Sequence, residues 1–199
     1  GALNEMFPED SNLRNQTDST IKTYIDSWYS NNMTEYTKYL EDTVWCNDRS
    51  IYQLTSWDKD YSGTGFLYFG PYGKNTNSPY VSDLSCPSLA DSFTVSSENG
   101  NGKLTYPVSL LTMDEINMAG GTGSNNSYYL YTGQNWLSLS PSSFNNNTAS
   151  EFQVFPSGGL NSGNVSYASG VRPAITLAHD LVVERGTGTS ENPYELVLE

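Results

Sequence analysis

Apolar and aromatic residues near the start of the chain follow the spacing of an α-helix. They occupy positions i, i+3, i+4, i+7 and i+8: Ile21, Tyr24, Ile25, Trp28 and Tyr29. This periodicity predicts a helix with one buried stripe, for which Asp18, Ser19 or Thr20 would supply the N-cap. The pair Asn31–Asn32 is expected to end it. A second short helix is predicted from Thr34. Its inward side chains are expected to be Tyr36, Tyr39 and Leu40.

Thr112 opens the clearest local motif of the chain. In the run from Thr112 to Glu115 the threonine hydroxyl can accept from the Glu115 amide, while the Glu115 side chain reaches back to the threonine. Leu111 and Ile116 are placed to form a hydrophobic staple around this capping box. The two glycines that begin at Gly120 are expected to stop the helix. A short capped helix is therefore predicted here.

The second half of the chain contains strand-like runs separated by Gly, Pro, Ser and Asn. We predict six strands: Tyr128–Thr132, Trp136–Leu139, Glu151–Phe155, Val171–Leu177, Leu181–Glu184 and Tyr194–Leu198. The segments 141–143 and 156–159 are predicted as turns between them. Residues 44–95 are irregular, with two or three brief strands. Helices early and strands late predict an α+β fold whose strands form an antiparallel meander with hairpins. Residues 1–17 are expected to lack regular structure, and 18–199 to form a single domain.

Composition narrows the class of protein. Hydrophobic residues make up 36% of the 199 residues, charged residues 16% and aromatic residues 13%. A core built from few, large side chains and a surface rich in Asn, Ser and Thr are typical of exported proteins. The net charge of −13 repels phosphate backbones, which disfavours nucleic-acid binding. No apolar run is long enough to span a bilayer, so membrane contact is expected only through an N-terminal anchor outside this sequence.

The chain contains two cysteines, Cys46 and Cys86. Their spacing does not fit a zinc site, and His179 is the only histidine. Two buried free thiols are one interpretation. The other is a disulfide, which would close a loop of about forty residues and stabilise the fold by ~4 kcal/mol. Because the composition indicates export, we favour the disulfide.

Catalytic patterns are weak throughout the sequence. His179 lies between Ala178 and Asp180, where a turn is the simplest explanation, and no Gly-x-Ser-x-Gly nucleophile motif occurs. Neighbouring carboxylates such as Asp114 and Glu115 are better explained by the helix N-terminus. We therefore predict a protein that is not an enzyme and has no catalytic residues. No cofactor and no metal ligands are predicted, although the abundant carboxylates leave calcium open.

Two groups of side chains are predicted to have defined roles. Arg172 interrupts an apolar run beside Pro173, so we expect it to be buried, hydrogen-bonded and structural, and Arg49 is interpreted in the same way. Trp57, Tyr61 and Trp136 are predicted to lie in or beside loops and to form a ligand-binding surface, where their rings would stack on sugars or on a partner protein. Burial in the core is the alternative for each aromatic residue.

Several segments together resemble a family of uncharacterised exported domains from Gram-positive gut bacteria, found behind prepilin-type N-terminal segments or in larger surface proteins. The matching segments are Ile25–Tyr29, Cys46–Ser50, Leu104–Val108, Leu111–Gly121, Tyr129–Gly133, Trp136–Phe144, Gly170–Leu177 and Gly186–Tyr194. The Trp136–Phe144 segment followed by Gly170–Leu177 is also distantly similar to the C-type-lectin-like and formylglycine-generating-enzyme superfamily. That resemblance implies two helices, a twisted antiparallel sheet and long loops.

The residues that give the superfamily its catalytic activity and its calcium binding are not found in this sequence. The superfamily's catalytic members use a late cysteine pair, whereas no cysteine follows Cys86 here, and the calcium-binding Glu-Pro-Asn and Gln-Pro-Asp triplets are absent. The expected function is therefore a non-enzymatic, extracellular binding or assembly domain on the cell surface or a pilus-like fibre. A surface glycan or a protein is the expected partner. The alternatives are a carbohydrate-active enzyme and a structural pilin subunit without a soluble ligand.

Overall fold

The computed structural model of the chain describes residues 15–55, 66–77, 80–145 and 148–199. Within these ranges the fold is mixed α/β, with few helices and antiparallel sheets, in agreement with the predicted α+β class. The helices are α1 (Thr20–Asn32), α2 (Gly70–Thr76) and α3 (Met113–Met118). Two 3₁₀ helices cover Thr34–Tyr39 and Leu89–Asp91.

The strands of the described chain pair with one another in the antiparallel sense, apart from an isolated parallel bridge between Trp136 and Gly170. They are β1 (Trp45–Cys46), β2 (Ile51–Thr55), β3 (Phe66–Phe69), β4 (Ser92–Phe93), β5 (Ser109–Leu110), β6 (Trp136–Asn145), β7 (Thr148–Val154), β8 (Leu160–Asn164), β9 (Pro173–Ala174), β10 (Leu181–Arg185) and β11 (Glu195–Leu198). The main sheet has the order β2-β3-β6-β7-β8. The pairs β1-β4, β5-β9 and β10-β11 form three small sheets around it.

Helix α1 follows the prediction closely. The Ser19 hydroxyl caps it by accepting from the Lys22 amide at 3.1 Å. Ile25 and Tyr29 are buried, but Tyr24 is 59% exposed, so the buried stripe is narrower than the spacing predicts. The following segment forms a 3₁₀ helix, and the inward placement predicted for Tyr36 is wrong because its side chain is 52% exposed.

The capping box of α3 is present as the sequence predicts. The Glu115 amide donates to Oγ1 of Thr112 at 3.2 Å, and the Thr112 amide donates to Oε2 of Glu115 at 2.7 Å. Gly120 follows with a φ of 101°, the left-handed region that glycine tolerates. The helix buries Met113 and Ile116, so its cap fixes a short element that the core depends on.

We expect the substitution Thr112→Ala to lower the free energy of unfolding by ~1 kcal/mol, because it removes the acceptor for the Glu115 amide. Thr112→Ser is the matched control, since it keeps the hydroxyl and should stay within a few tenths of a kcal/mol of the wild type. Urea denaturation of the three proteins measures the difference. Equal midpoints for the alanine and serine variants would show that the cap does not stabilise the fold.

Three clusters of buried hydrophobic residues form the core of the described chain. In the first, Trp136 and Val154 pack with Ile116, Tyr128 and Leu130. Elsewhere Leu67, Phe69 and Phe144 form a second cluster, and Ile25, Leu110 and Leu137 form a third that joins α1 to the sheet. Aromatic side chains occur in the first and second clusters, as expected for a chain with few aliphatic residues.

The structure corrects two strand predictions and one turn prediction, and it adds one strand that is not predicted. Residues 128–132 form a turn, in which the Tyr131 amide donates to the Tyr128 carbonyl, so they do not join a ladder. The predicted turn at 141–143 is part of β6. Pro141 has no amide hydrogen, and the register shifts on both sides of it, which lets the strand continue. The run 171–177 contributes only the two residues of β9, and β8 is not predicted at all.

Candidate binding surface and acidic cleft

The three predicted ligand residues are not brought together by the described part of the chain. Trp57 and Tyr61 lie outside the described residues. Trp136 is in β6 and only 3% exposed, with its ring packed in the core beside Val154. The prediction that Trp136 lies in or beside a loop and presents its face to a ligand is therefore corrected: the residue begins β6, as the predicted strand Trp136–Leu139 has it, and its side chain is buried.

Arg172 explains part of the burial of Trp136. Its guanidinium carbon lies 5.1 Å from the centre of the Trp136 ring, and Nη1 donates to the Leu130 carbonyl at 2.6 Å. The side chain is half-buried, less than the sequence suggests. A cation over a tryptophan face and a bond to a turn carbonyl describe a structural arginine, as predicted. It ties the turn at 128–132 to the sheet.

Arg49 also has a structural environment. Its Nε donates to Oδ1 of Asp91 at 2.6 Å, and Asp91 is only 2% exposed. Nη2 of Arg49 also donates to Oδ1 of Asn15 at 3.0 Å. The guanidinium thus joins the start of the described chain to the 3₁₀ helix at 89–91, as the structural interpretation of Arg49 requires.

An aromatic surface occupies the β2–β3 end of the main sheet. In β3 the side chains alternate: Leu67 and Phe69 are fully buried, whereas Phe66 is 42% exposed and Tyr68 is half-buried. Alternation is the consequence of the two-residue period of a strand. Phe66 and Tyr68 therefore project from the face opposite to the buried pair.

Helix α2 and strand β2 extend this surface. The Tyr72 ring stacks on Tyr68 with centroids 4.1 Å apart, and Phe66 stacks on Tyr68 at 6.0 Å. Tyr52 is 50% exposed and its ring lies against Gly73, where a Cβ would be 2.3 Å from a ring carbon. We call the four residues Tyr52, Phe66, Tyr68 and Tyr72 the aromatic platform.

The hydroxyl groups of the platform are close enough to influence one another. Burial raises the pKa of Tyr72, and the neighbouring Tyr68 and, to a smaller extent, Tyr52 raise it further. The Tyr72 hydroxyl therefore stays protonated at physiological pH and can donate one hydrogen bond. Ring faces for stacking and hydroxyls for hydrogen bonds thus occur on one surface.

Polar side chains continue the same face across the sheet. Gln53 pairs with Tyr68, Tyr68 with Ser143, Ser143 with Ser150, and Ser150 with Asn164. Cross-strand partners project from the same face. One row therefore runs through all five strands and contains an aromatic ring, two hydroxyls and two amides. A parallel row joins Phe66, Asn145 and Thr148.

The sequence contained a signal for this surface that our prediction missed. Phe66 to Phe69 is an uninterrupted apolar run, in which the two-residue period of a strand turns the rings of Phe66 and Tyr68 to one face. Tyr72 and Tyr52 lie too far from this run in the chain for periodicity to connect them. The short hairpin and the glycine at position 73 bring them together.

A second candidate region is an acidic cleft of about 280 Å³ beside the disulfide. Its walls include Cys46, Asp48, Lys74, Asp83, Asp114 and Glu115. The ammonium of Lys74 is 3.2 Å from Oδ2 of Asp114 and 4.0 Å from Oδ2 of Asp48. Both carboxylates therefore form ion pairs with the same lysine in the cleft.

The disulfide between Cys46 and Cys86 forms one side of this cleft, as the sequence analysis favours. The Cα atoms of the two cysteines are 5.5 Å apart, within the usual range for the bond. Cys46 belongs to β1, which pairs with β4, so the bridge fastens a small sheet to the segment that carries Asp83.

Other predicted sites can be placed briefly. His179 is exposed, and its Nδ1 lies 3.5 Å from Oε2 of Glu41, an arrangement with no nucleophile beside it in the contacts described. Among the described residues, no group of three or more His, Cys, Asp or Glu side chains could hold a metal ion. Within the same ranges, no helix is both long and apolar enough to cross a membrane.

In comparisons with known proteins, no family model, no curated protein and no solved structure matches the chain.

Proposed function

We propose that this chain is a non-enzymatic extracellular domain that binds or assembles through the aromatic platform. The observation that carries this proposal is the platform itself, where Tyr52 and Phe66 remain half-exposed while stacked rings and a polar row surround them. Partly exposed aromatic rings that carry polar tips are enriched at recognition surfaces. Exposed residues of this kind are not needed to complete the core.

Two further features support an exported binding domain. A disulfide persists in oxidising compartments, which favours the extracellular space or the cell surface. The net charge of −13 would repel anionic partners, so a neutral glycan or an uncharged protein patch is the expected ligand class. Display on a pilus-like fibre and a C-type-lectin-like arrangement of helices, sheet and loops remain part of this proposal.

We expect the double substitution Tyr52→Ala and Phe66→Ala to weaken binding to neutral glycans about tenfold. Each exposed ring that stacks on a ligand contributes ~0.5–1.5 kcal/mol, and two such rings correspond to roughly one order of magnitude in affinity. The wild type is first screened on a glycan array to identify a ligand. Its dissociation constant is then compared with that of the double variant by titration calorimetry.

Tyr129→Ala is the matched control, because Tyr129 is 81% exposed and belongs to the turn on the other side of the Trp136 cluster. It should bind the same glycan as tightly as the wild type. Equal affinity of the double variant and the wild type would remove the platform from the site. Cleavage of an array glycan that is lost on substitution of a single carboxylate would instead identify a carbohydrate-active enzyme.

A further inference from the structure

Lys74 and Asp114 are held together by more than an ion pair. Nζ of Lys74 lies 3.2 Å from Oδ2 of Asp114, and Asp114 is only 5% exposed. The same Nζ donates to the backbone carbonyl of Asp83 at 3.3 Å. The contacts with Asp114 and with the Asp83 carbonyl therefore hold the Lys74 amine beside the Asp114 carboxyl group. Lys74 is near the end of α2 and Asp114 is in α3, so the contact joins two helices from distant parts of the chain.

The second oxygen of Asp114 accepts two hydrogen bonds. The Tyr80 hydroxyl donates to Oδ1 at 2.7 Å and the Asp83 amide donates to it at 2.8 Å. Burial and then the bond to Asp114 raise the pKa of Tyr80 well above its ordinary value, so the hydroxyl stays protonated as a donor. The Tyr80 hydroxyl and the Asp83 amide thus donate to the same carboxylate oxygen. Two fixed donors of this kind stabilise the negatively charged oxygen that forms during acyl transfer.

Asp48 is the third member of the cluster. Its Oδ2 lies 4.0 Å from Nζ of Lys74, while its Oδ1 accepts from the amide and the hydroxyl of Ser50 at 3.0 and 2.6 Å. A Cβ at position 70 would be 2.6 Å from Oδ2, so Gly70 is what allows the carboxylate this position. At 4.0 Å a proton can pass from the amine to this oxygen through one intervening water molecule.

We propose that Lys74 and Asp114 are a site of spontaneous covalent modification, an isopeptide bond between Nζ of Lys74 and Cγ of Asp114. One ammonium proton passes to Oδ2, and the neutral amine attacks Cγ. The negative charge then develops on Oδ1, where the hydrogen bonds from the Tyr80 hydroxyl and the Asp83 amide stabilise it. Asp48 takes a second amine proton and gives it to Oδ2. The Cγ–Oδ2 bond breaks, Oδ2 leaves as water, and the amide nitrogen keeps one hydrogen.

Two physical effects favour this condensation. Groups held in contact by the fold react with effective concentrations of about 10⁵ M or more, which offsets the poor reactivity of a carboxylic acid with an amine in water. The product also replaces two opposite charges, one of them on the buried Asp114 carboxylate, with a neutral amide, which removes the cost of keeping that carboxylate charge from water. The proposal does not depend on the aromatic platform, since the two sites share no residue.

Intact-mass spectrometry of the full chain tests the proposal. The disulfide is reduced first, so that its two hydrogens do not enter the comparison. The wild type is expected to be lighter than its sequence mass by one water molecule. Digestion with trypsin should give one branched peptide that joins Lys74 to Asp114, with no cleavage after Lys74. A wild type at full mass after prolonged incubation at neutral pH would overturn the proposal.

Two variants provide matched controls. Lys74→Arg keeps the positive charge but cannot form the bond, so it should have the full sequence mass while its circular dichroism matches that of the wild type. A water loss that persists in Lys74→Arg would place the modification elsewhere and reject this site. Asp48→Asn should fold and show no loss of water on the same time scale. A bond that forms equally fast in this variant would exclude Asp48 as the proton carrier.

Discussion

Removal of the Cys46–Cys86 disulfide is expected to lower the free energy of unfolding by ~4 kcal/mol, the chain-entropy value for a loop of this length. The two cysteines are 40 positions apart, and the loop between them contains β2, β3 and α2. Without the bridge the unfolded chain gains the conformational freedom of that loop. In a domain of this size the loss corresponds to a decrease in melting temperature of roughly 10 °C.

Thermal unfolding of the wild type with and without reductant measures this effect. The double variant Cys46→Ser and Cys86→Ser is the control, because its melting temperature should be low and should not respond to reductant. A wild type whose melting temperature is unchanged by full reduction, verified by thiol alkylation, would contradict the expected stabilisation. In that case the packing of β1 on β4 would hold the region by itself.

The stability of the protein is also expected to depend on pH through Glu151. Burial raises the pKa of its carboxyl group from 4.5 to about 7, and Oε1 is buried without a hydrogen-bond partner among the described residues. The side chain lies in β7, opposite Pro141 and Gly163. The folded state therefore binds a proton more tightly than the unfolded state does.

The sign of the pH effect follows from that difference. For an acid whose pKa is higher in the folded state, stability is greatest below the unfolded pKa of 4.5 and decreases as pH rises through about 7. The total decrease is on the order of 3 kcal/mol. Glu151→Gln removes the charge, so the variant should be more stable than the wild type by up to that amount at pH above the folded pKa, and nearly equal to it under acidic conditions.

Urea denaturation across this pH range tests the expectation through the difference between variant and wild type, which cancels the titration of the other carboxylates. Glu98→Gln is the control, since Glu98 is exposed and its substitution should change stability little at any pH. A Glu151→Gln curve that stays parallel to the wild type from acidic to basic pH would show that the Glu151 carboxyl is solvated.

Local motifs were the part of the fold that the sequence predicted well. The Ser19 cap of α1 and the capping box of α3 depend on residues within four positions of one another, so their chemistry is visible in the chain. The disulfide could be favoured because only two cysteines are present. The mixed α/β class with antiparallel sheets followed from the succession of turn residues.

The parts that failed depend on contacts between distant residues. Strand β8 has little strand propensity, and it forms because β7 pairs with it, with Gly163 leaving space for the side chain of Gln153. Strand β6 passes through Pro141, which reads as a turn until the register shifts beside it are known. Trp136 is predicted to lie in or beside a loop and to present its ring to a ligand, whereas packing against Val154 and Arg172 buries it.

The candidate sites also depend on contacts between distant residues, so the sequence did not predict them. The platform needs β2, β3 and α2 to meet, and the lysine in the cleft meets carboxylates from two other segments. No short-range sequence pattern predicts the packing of these three elements or the contacts of Lys74 with the two carboxylates. Comparison with relatives would normally supply this information, but the chain has no match among known proteins.

The order of strands in the main sheet has a consequence for the kinetics of folding. The meander β6-β7-β8 pairs neighbours in the chain, whereas β3 joins β6 through pairs such as Phe66 with Asn145. Contacts between residues so far apart form slowly, because the entropy cost of closing a long loop precedes the stabilisation that the contacts provide. We expect the meander to assemble first and the β2–β3 hairpin to dock afterwards, in the rate-limiting step. The platform would then be the last surface of the sheet to acquire its final shape.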